Sequence, residues 1–387
     1  MRLFDWRTRI FTAAVAATGV VLAAPGAPAQ AAPAGAVIEA SAQSGFRGIS
    51  NAYIVDYWTT RSNGEPVQAS GALYLPDGPA PAGGWPILAY DHGTSGLGPG
   101  CGGQTDLTTA NGGRDRESAM LRKLVGKGFA VVAPDYLGLG RFDTGPHPYL
   151  ETRTEASATI DLVKAARAAR SDLSRTWSVI GFSQGGHAAL SAAHLQQFTA
   201  PDLDFRGVIA SDPASDVEKV LPYLGPAVPA VPGENGAAVN GFVVSMLVGL
   251  RETHPELDVD SYLTPRGRQV LDDSSALCFL DIMKSVEGMS IGEMLSRPLD
   301  DPRFRAAVDE YMMLPTAGYD APILLLLNAT DIVVPSPLHA ALAAQLAANG
   351  VQYETVVGMG QHTELNPQMW AAIDAFTARV LATPVTP

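Results

Sequence analysis

Charged residues are scarce in this sequence, and most of the charge is negative. Only 17% of the 387 residues are Asp, Glu, Lys or Arg, whereas 47% are hydrophobic, which excludes a mostly disordered chain. Acidic residues outnumber basic ones by 39 to 26, and the formal net charge is −13. An acidic protein has no electrostatic reason to bind nucleic acid or an anionic membrane, so neither is an expected partner.

Cysteine is still scarcer than charged residues. The chain has only Cys101 and Cys278, without a CxxC pair or a Cys/His cluster, so no metal is expected, and no other cofactor. If the protein is exported, one disulfide between Cys101 and Cys278 is the simplest interpretation. Two buried free thiols are the alternative.

The start of the chain has an apolar run that directly follows basic residues. Three arginines precede the apolar stretch 10–24, and residues 29–31 read AQA, an AxA cleavage site. This pattern predicts a signal peptide over residues 1–31 and a secreted protein; an uncleaved signal anchor is the alternative. Removing residues 1–31 changes the formal charge from −13 to −15. No later run reaches the roughly 18 to 20 apolar residues of a membrane span, so no integral membrane association is expected.

From residue 70 onward, apolar runs alternate with helical patterns. The runs predict strands near 71–76, 85–93, 128–138, 176–183, 205–213, 322–331 and 352–360. The helical patterns lie near 154–170, 185–198, 337–349 and 367–382, with Thr154 as the expected cap of the first. Near-continuous Val/Ile/Leu strands between helices indicate an α/β fold with a mostly parallel sheet covered on both faces.

One long segment interrupts this alternation. Residues 213–320 contain no clear strand, begin with a proline-rich stretch, and include the apolar run 237–250. Because a loop of this length inside a compact domain is improbable, we expect an inserted helical cap, or lid. The α/β core would then comprise residues 32–212 and 321–387. A helical excursion that merely shields the sheet is the alternative.

The short sequence GFSQG at 181–185 places Ser183 between two glycines. It follows the predicted strand ending WSVI and opens the predicted helix, which is the strand, sharp turn and helix of a nucleophile elbow. Glycines on either side leave room where side chains would collide with neighbouring backbone. Ser183 is therefore the candidate nucleophile, and a serine that only caps the helix is the alternative.

A serine hydroxyl needs a base, and the base needs a carboxylate. In elbow enzymes the chain order is Ser, then Asp or Glu, then His. Asp331 closes the strand-like run 322–331 and His362 follows the last predicted strand, so we predict these two as acid and base. Asp212 and Glu364 remain alternative acids. The other histidines are less suitably placed: His92, His147, His187, His194, His254 and His339.

Two backbone N–H groups must stabilise the oxyanion of the intermediate. One donor should be Gln184, the residue after the nucleophile. The other should come from the glycine-rich loop DHGTSG at 91–96, where we assign Thr94, with Gly93 as the alternative. His92 is expected to support this loop. A disulfide at Cys101 would tie the same loop to the insertion.

These motifs together resemble a known family. The elbow GFSQGG, the stretches PDYLGLG and YDHGTSG, and the insertion before the strand of the acid are similar to the secretory lipases, the lipase-A type of α/β-hydrolase in fungi and bacteria. The resemblance extends from about residue 45 to about residue 385 and implies the α/β-hydrolase fold. It also implies Ser183, Asp331 and His362 as the triad, hydrolysis of carboxylic esters including acylglycerols, and a cap that helps form an acyl tunnel.

The sequence thus predicts a secreted, monomeric serine carboxylic ester hydrolase, a lipase or esterase that forms an acyl-enzyme. Its substrate would be a small-molecule or lipid ester with an apolar acyl part. A serine peptidase of the same fold is the alternative enzyme, although we find no acidic cluster in the insertion to hold a peptide terminus. A non-enzymatic binding protein on the same scaffold is the third hypothesis.

Overall fold

A single mixed sheet organises the chain. The computed structural model describes residues 32–106, 114–382 and 386, so the predicted signal peptide lies outside the described residues. The strands are β1 (Val37–Ala42), β2 (Asn51–Thr60), β3 (Pro66–Leu75), β4 (Trp85–Asp91), β5 (Ala130–Pro134), β6 (Leu173–Phe182), β7 (Asp204–Ser211), β8 (Ile323–Asn328) and β9 (Tyr353–Gly358). Their spatial order is β1-β2-β3-β5-β4-β6-β7-β8-β9.

Most of the sheet is parallel, as the sequence predicts. Strands β5, β4, β6, β7, β8 and β9 pair in parallel, whereas β1, β2 and β3 join the edge beside β5 through antiparallel pairs. The carboxyl ends of the parallel strands therefore meet at one rim, where an open α/β sheet carries its binding groups.

Helices cover both faces of the sheet, and alternate side chains of each strand face opposite layers. The helices outside the insertion are α1 (Arg114–Gly126), α2 (Thr152–Ala169), α3 (Gln184–Thr199), α9 (Ser336–Ala348) and α10 (Pro367–Ala382). Ile87 and Ala89 of β4 pack in one core with α2, α3 and α9, whereas Leu88 packs in the other with α1 and α10. The prediction for the start of α2 was wrong, because Thr154 is buried inside that helix.

The segment between β7 and β8 is helical and has its own core. Its longer helices are α4 (Gly233–Thr253), α5 (Pro265–Ser274), α6 (Phe279–Ser285), α7 (Ile291–Met294) and α8 (Pro302–Met312). Leu247, Tyr262, Phe304 and other buried residues form a hydrophobic cluster separate from the two layers around the sheet. The apolar run 237–250 belongs to α4, whose buried face explains its composition. The role of this segment as a cap stays a proposal.

Two strands, β1 and β2, lie before the region where the sequence pattern predicts strands. Strand β1 is short and largely exposed, whereas polar residues of β2 are paired inside the fold. Thr59 of β2 donates a hydrogen bond to Asp161 of α2 at 2.9 Å, and Asp56 forms an ion pair with Arg141 at 3.2 Å.

Among the helices that the structure describes, none has the length and apolar character required to cross a bilayer.

Candidate active site

The turn between β6 and α3 has the strained geometry of a nucleophile elbow. Ser183 has a φ of 57° and a ψ of −121°, a left-handed conformation that is rare for a residue other than glycine. A Cβ atom on Gly181 would lie 1.8 Å from the Gly185 carbonyl oxygen, and one on Gly185 would lie 1.9 Å from the Asp91 carbonyl oxygen. Only glycine fits at either position, which explains the spacing of GFSQG.

The structure brings Ser183, His362 and Asp331 together. The His362 Nε2 atom lies 2.8 Å from the Ser183 Oγ atom, and His362 Nδ1 lies 2.6 Å from Asp331 Oδ2. Asp331 follows β8, and His362 lies in the loop between β9 and α10, so both reach Ser183 from the same rim of the sheet. In this geometry Nδ1–H donates to the carboxylate, which leaves Nε2 to accept the serine proton.

Asp331 is held ionised by its surroundings. Its Oδ1 atom accepts hydrogen bonds from the backbone N–H groups of Val333 and Val334 at 2.8 and 3.2 Å. Its Oδ2 atom contacts His339 Nε2 at 3.1 Å as well as His362. Burial opposes ionisation of Asp331, but the hydrogen bonds from His339 and His362 outweigh it and hold the pKa well below its usual 3.8.

The two alternative acids have other partners. Asp212 accepts hydrogen bonds from the backbone and side chain of Asn328, both at 2.7 Å, and from the backbone of Thr363 at 2.7 Å. It therefore fastens the loop that carries His362 to the end of β8. Glu364 accepts a hydrogen bond from the Gln361 backbone at 3.0 Å. Neither carboxylate has a hydrogen bond to His362 among the described residues.

A buried cluster behind the triad has the composition of a metal site. Ligand atoms of Asp212, Asp331 and His339 all lie within 4.8 Å of one another. However, every oxygen of the two carboxylates already accepts at least one hydrogen bond from a protein group. We therefore assign the cluster to the support of the triad and not to a metal.

Both predicted oxyanion residues lie beside Ser183. Gln184 is the first residue of α3, so its backbone N–H has no acceptor within the helix. Thr94 and Gly93 line the same cavity as Ser183, and a Cβ atom on Gly93 would lie 3.7 Å from Ser183 Cβ. The Thr94 backbone N–H donates no hydrogen bond to any group that the structure describes. Two backbone N–H groups without an acceptor among the described residues thus lie near the nucleophile.

The loop that carries Thr94 is fastened to the insertion. Cys101 and Cys278 form a disulfide. Beside it, the Leu97 N–H donates to the Leu277 carbonyl and the Phe279 N–H donates to the Ser95 carbonyl, both at 2.9 Å. Segments 95–97 and 277–279 therefore lie side by side.

Several buried groups near the elbow were missed by the sequence analysis. His147, Glu155 and His187 form a hydrogen-bond network with the side chain of Gln184. Glu155 lies in the polar first turns of α2, which read TRTEASAT, so the sequence pattern gave no signal that it is buried. His92 contacts the Gly93 and Asp135 carbonyls, which agrees with the expected support of the 91–96 loop. His194 and His254 make ring contacts with Tyr319 and Tyr311.

Ser183 lines two cavities of different character. One is an open groove of about 940 Å³ that also contains His362, Thr94 and Trp370. The other has a volume of about 220 Å³ and is mostly apolar. Its walls come mostly from the insertion, which supplies Ala214, Leu221, Val243, Met246 and Ile291, and the others include Tyr149 and Leu338 of α9. A substrate at Ser183 therefore meets an apolar enclosure on one side and an open groove on the other.

Comparison with protein families identifies the chain. The family model described as secretory lipase matches residues 104–386. The chain belongs to the secretory lipase family. This membership supports a hydrolase of the lipase or esterase type.

Individual relatives of this chain differ in their described activity. A protein of Mycobacterium tuberculosis named a probable inactive lipase is 24% identical, over 80% of this chain and 69% of that protein. The secreted triacylglycerol lipase LIP4 of Malassezia globosa is 26% identical, over 54% of this chain. The match spans only 45% of LIP4.

A solved structure shows the fold. Lipase A of Candida antarctica, in its closed state, superposes with a TM-score of 0.72, at 18% identity, over 92% of this chain and 84% of that chain. The chain therefore has the α/β-hydrolase fold, as predicted.

Proposed function

We propose that this chain is a secreted serine carboxylic ester hydrolase, a lipase or esterase that works through an acyl-enzyme. The observation that carries the proposal is the continuous hydrogen-bonded chain from Ser183 through His362 to Asp331, placed on an elbow. A serine in a strained turn, a base with its second nitrogen fixed by a carboxylate, and two free backbone donors are the parts that acyl transfer needs.

The geometry supports the following reaction. His362 Nε2 takes the proton of Ser183 as Oγ bonds to the ester carbonyl carbon. The carbonyl oxygen becomes an oxyanion, stabilised by the backbone N–H groups of Gln184 and Thr94. The C–O bond to the alcohol breaks, and His362 gives its proton to the leaving oxygen. Water then attacks the acyl-enzyme by the same steps, releasing the acid and restoring Ser183.

The apolar cavity supports an ester with an apolar acyl part. The cavity of about 220 Å³ is lined almost entirely by apolar side chains, which favour burial of an apolar acyl chain. We therefore propose esters with apolar acyl chains, as free esters or acylglycerols. In this proposal residues 213–320 act as the cap that encloses the acyl chain, between core segments 32–212 and 321–387.

Export is part of the proposal. The family and the secreted Malassezia relative support an extracellular location, and residues 1–31 would be the signal peptide. The protein would act as a monomer on a small-molecule or lipid ester.

A non-catalytic role is the second candidate, favoured by the name of the Mycobacterium relative. In that case the hydrolase scaffold would bind an ester without turning it over. The intact Ser183, His362 and Asp331 chain in this protein supports the enzymatic proposal over this one.

The proposal is tested by hydrolysis of p-nitrophenyl esters with acyl chains from two to sixteen carbons. We expect S183A to lose at least about 10⁴-fold in kcat while its unfolding midpoint stays unchanged, since it lacks the nucleophile. The wild type should hydrolyse esters with longer apolar acyl chains faster than the acetate, because the cavity beside Ser183 is apolar. Unchanged turnover in S183A would reject the nucleophile, and cleavage of an aminoacyl anilide without ester hydrolysis would favour a peptidase.

A further inference from the structure

One loop contacts both residues that supply the proposed oxyanion donors. The loop is His147–Leu150, between β5 and α2. The Tyr149 hydroxyl shares a hydrogen bond of 2.8 Å with Thr94 Oγ1. Two residues earlier, His147 Nε2 lies 2.7 Å from Gln184 Nε2. The two donors come from distant parts of the sequence, so a shared contact fixes their relative positions.

The side chain of Gln184 has no freedom to rotate. Its amide nitrogen donates both hydrogens, one to Glu155 Oε1 and one to His147 Nε2, each at 2.7 Å. His147 Nδ1 donates to the Leu137 carbonyl at 2.8 Å, which leaves Nε2 as an acceptor. Burial lowers the pKa of His147 to about 3, so the ring stays neutral at neutral pH and this assignment holds.

Glu155 joins the loop to the elbow. Its Oε1 atom also accepts a hydrogen bond from the Leu150 backbone at 3.1 Å. Its Oε2 atom faces His187 Nδ1 at 2.9 Å, and His187 Nε2 faces the Met312 carbonyl, also at 2.9 Å.

Since both nitrogens of His187 face acceptors, the ring carries two hydrogens and a positive charge. Burial opposes this charge, but Glu155 outweighs it and raises the pKa of His187. The imidazolium neutralises a carboxylate that would otherwise repel the oxyanion.

From these contacts we infer that His147, Tyr149 and Glu155 are positioning residues for the oxyanion donors. Tyr149 acts on Thr94, whereas His147 and Glu155 act on Gln184 through its side chain. The inference rests on the proposed function, because it assigns a purpose to the network only if an oxyanion forms at Ser183. His147 and Glu155 line neither of the two cavities at Ser183, whereas Tyr149 lines the apolar one, so its test must keep the ring and remove only the hydroxyl.

The test uses two variants and two matched controls. Q184M removes both amide donors, and Y149F removes only the hydroxyl that reaches Thr94. The control Q196M alters another buried glutamine of α3, whose Nε2 donates to Asp320 Oδ1 at 2.8 Å. The control Y57F removes a buried hydroxyl that donates to the Ala158 carbonyl of α2 at 2.8 Å. Neither control residue contacts Thr94 or Gln184.

The readout is the ratio of kcat/KM for a p-nitrophenyl ester to that for its thionoester. Sulfur is larger than oxygen and accepts hydrogen bonds more weakly, so donors placed for an oxyanion favour the ester. A variant in which the donors are displaced should lose part of the preference for the ester over the thionoester. A loss of stability alone leaves the ratio unchanged, because the folded fraction acts on both substrates equally.

We expect Q184M to lower kcat for the ester about ten- to hundredfold and Y149F about three- to tenfold, less than deletion of a donor costs. KM should stay within about twofold, and the ester-to-thionoester ratio should fall with kcat; the controls should keep both values. If Q184M does not fold, the kcat and the ester-to-thionoester ratio of Y149F alone test the inference. If the folded variants have the same kcat and the same ester-to-thionoester ratio as the wild type, the inference is overturned. The proposed function is unaffected by that result as long as the wild type hydrolyses the ester and S183A does not. Absence of that hydrolysis in the wild type would overturn both.

Discussion

At the scale of single residues, Asp331 shows how the fold supports the proposed base. Two histidines contact the same carboxylate oxygen, and two backbone N–H groups contact the other. His339 is the member of this set that sequence order treats only as a competing base. Its position on α9 makes it a second donor to the acid instead.

Replacing His339 tests this support. H339F removes the donor but keeps a ring, and we expect kcat to fall roughly tenfold or more, because a hydrogen bond to a charged group contributes about 1.5–3 kcal/mol. KM should stay within about twofold, since His339 does not reach the substrate cavities. H339Q retains an amide donor and should recover part of kcat. Equal kcat in H339F and the wild type would contradict the assignment.

Glu218 is a buried acid without a comparable set of donors. Its side chain is 2% exposed, neither carboxylate oxygen has a hydrogen-bond partner among the described groups, and Lys219 Nζ lies 3.9 Å away. Burial raises the pKa of Glu218 from 4.5 to about 6. The folded protein therefore binds the Glu218 proton more tightly than the unfolded chain does. The resulting contribution to the free energy of unfolding is present below pH 4.5 and is lost as the pH rises through about 6.

The variant E218Q should remove that pH dependence. At pH 8 we expect it to be more stable than the wild type by roughly 2 kcal/mol, at about 1.4 kcal/mol per pKa unit, and at pH 4 the advantage should vanish. Urea unfolding at both pH values measures the difference. The exposed Glu287 provides the control E287Q, which should show no such change with pH. A difference that is the same at both pH values would contradict the burial argument.

At the scale of elements, the disulfide and two backbone hydrogen bonds fasten segment 95–97 to segment 277–279. The cross-link spans 177 residues of sequence, so it restricts the unfolded chain strongly. The two backbone hydrogen bonds hold the same loop in the folded state even when the disulfide is absent.

The double variant C101S/C278S separates these effects. We expect its free energy of unfolding to fall by roughly 3–5 kcal/mol, whereas kcat in the folded protein falls less than about threefold. Denaturant unfolding and ester hydrolysis below the unfolding transition measure the two quantities. Unchanged stability, or a kcat loss as large as that expected for Q184M, would contradict this division of roles.

Elements with strong local patterns were predictable, and those that depend on distant partners were not. Strands β4 to β9 are apolar runs, and the ends of β8 and β9 place Asp331 and His362 at one rim. Strand β2 escaped because Asp56 and Thr59 look exposed until Arg141 and Asp161 are placed beside them. The contacts of Glu155 with Gln184 and His187 join residues about thirty positions apart, which no spacing rule reveals.

At the scale of the whole molecule, the sheet and the insertion divide the work of the proposed enzyme. The sheet rim holds Ser183, Asp331 and His362, whereas the insertion lines most of the apolar cavity and is joined by the Cys101–Cys278 disulfide to the loop that follows Thr94. The central claim is that this arrangement activates Ser183. It is also the claim on which a lipase and a probable inactive lipase would differ.

The most direct test is covalent labelling of the full-length protein with a fluorophosphonate, followed by mass spectrometry of the labelled peptide. The account predicts phosphonylation of Ser183 in the wild type, at least about 100-fold slower labelling in H362A, and none in S183A, because only a serine with a general base reacts readily. Labelling of a different serine, no labelling of the wild type, or equal rates in H362A and the wild type would contradict it.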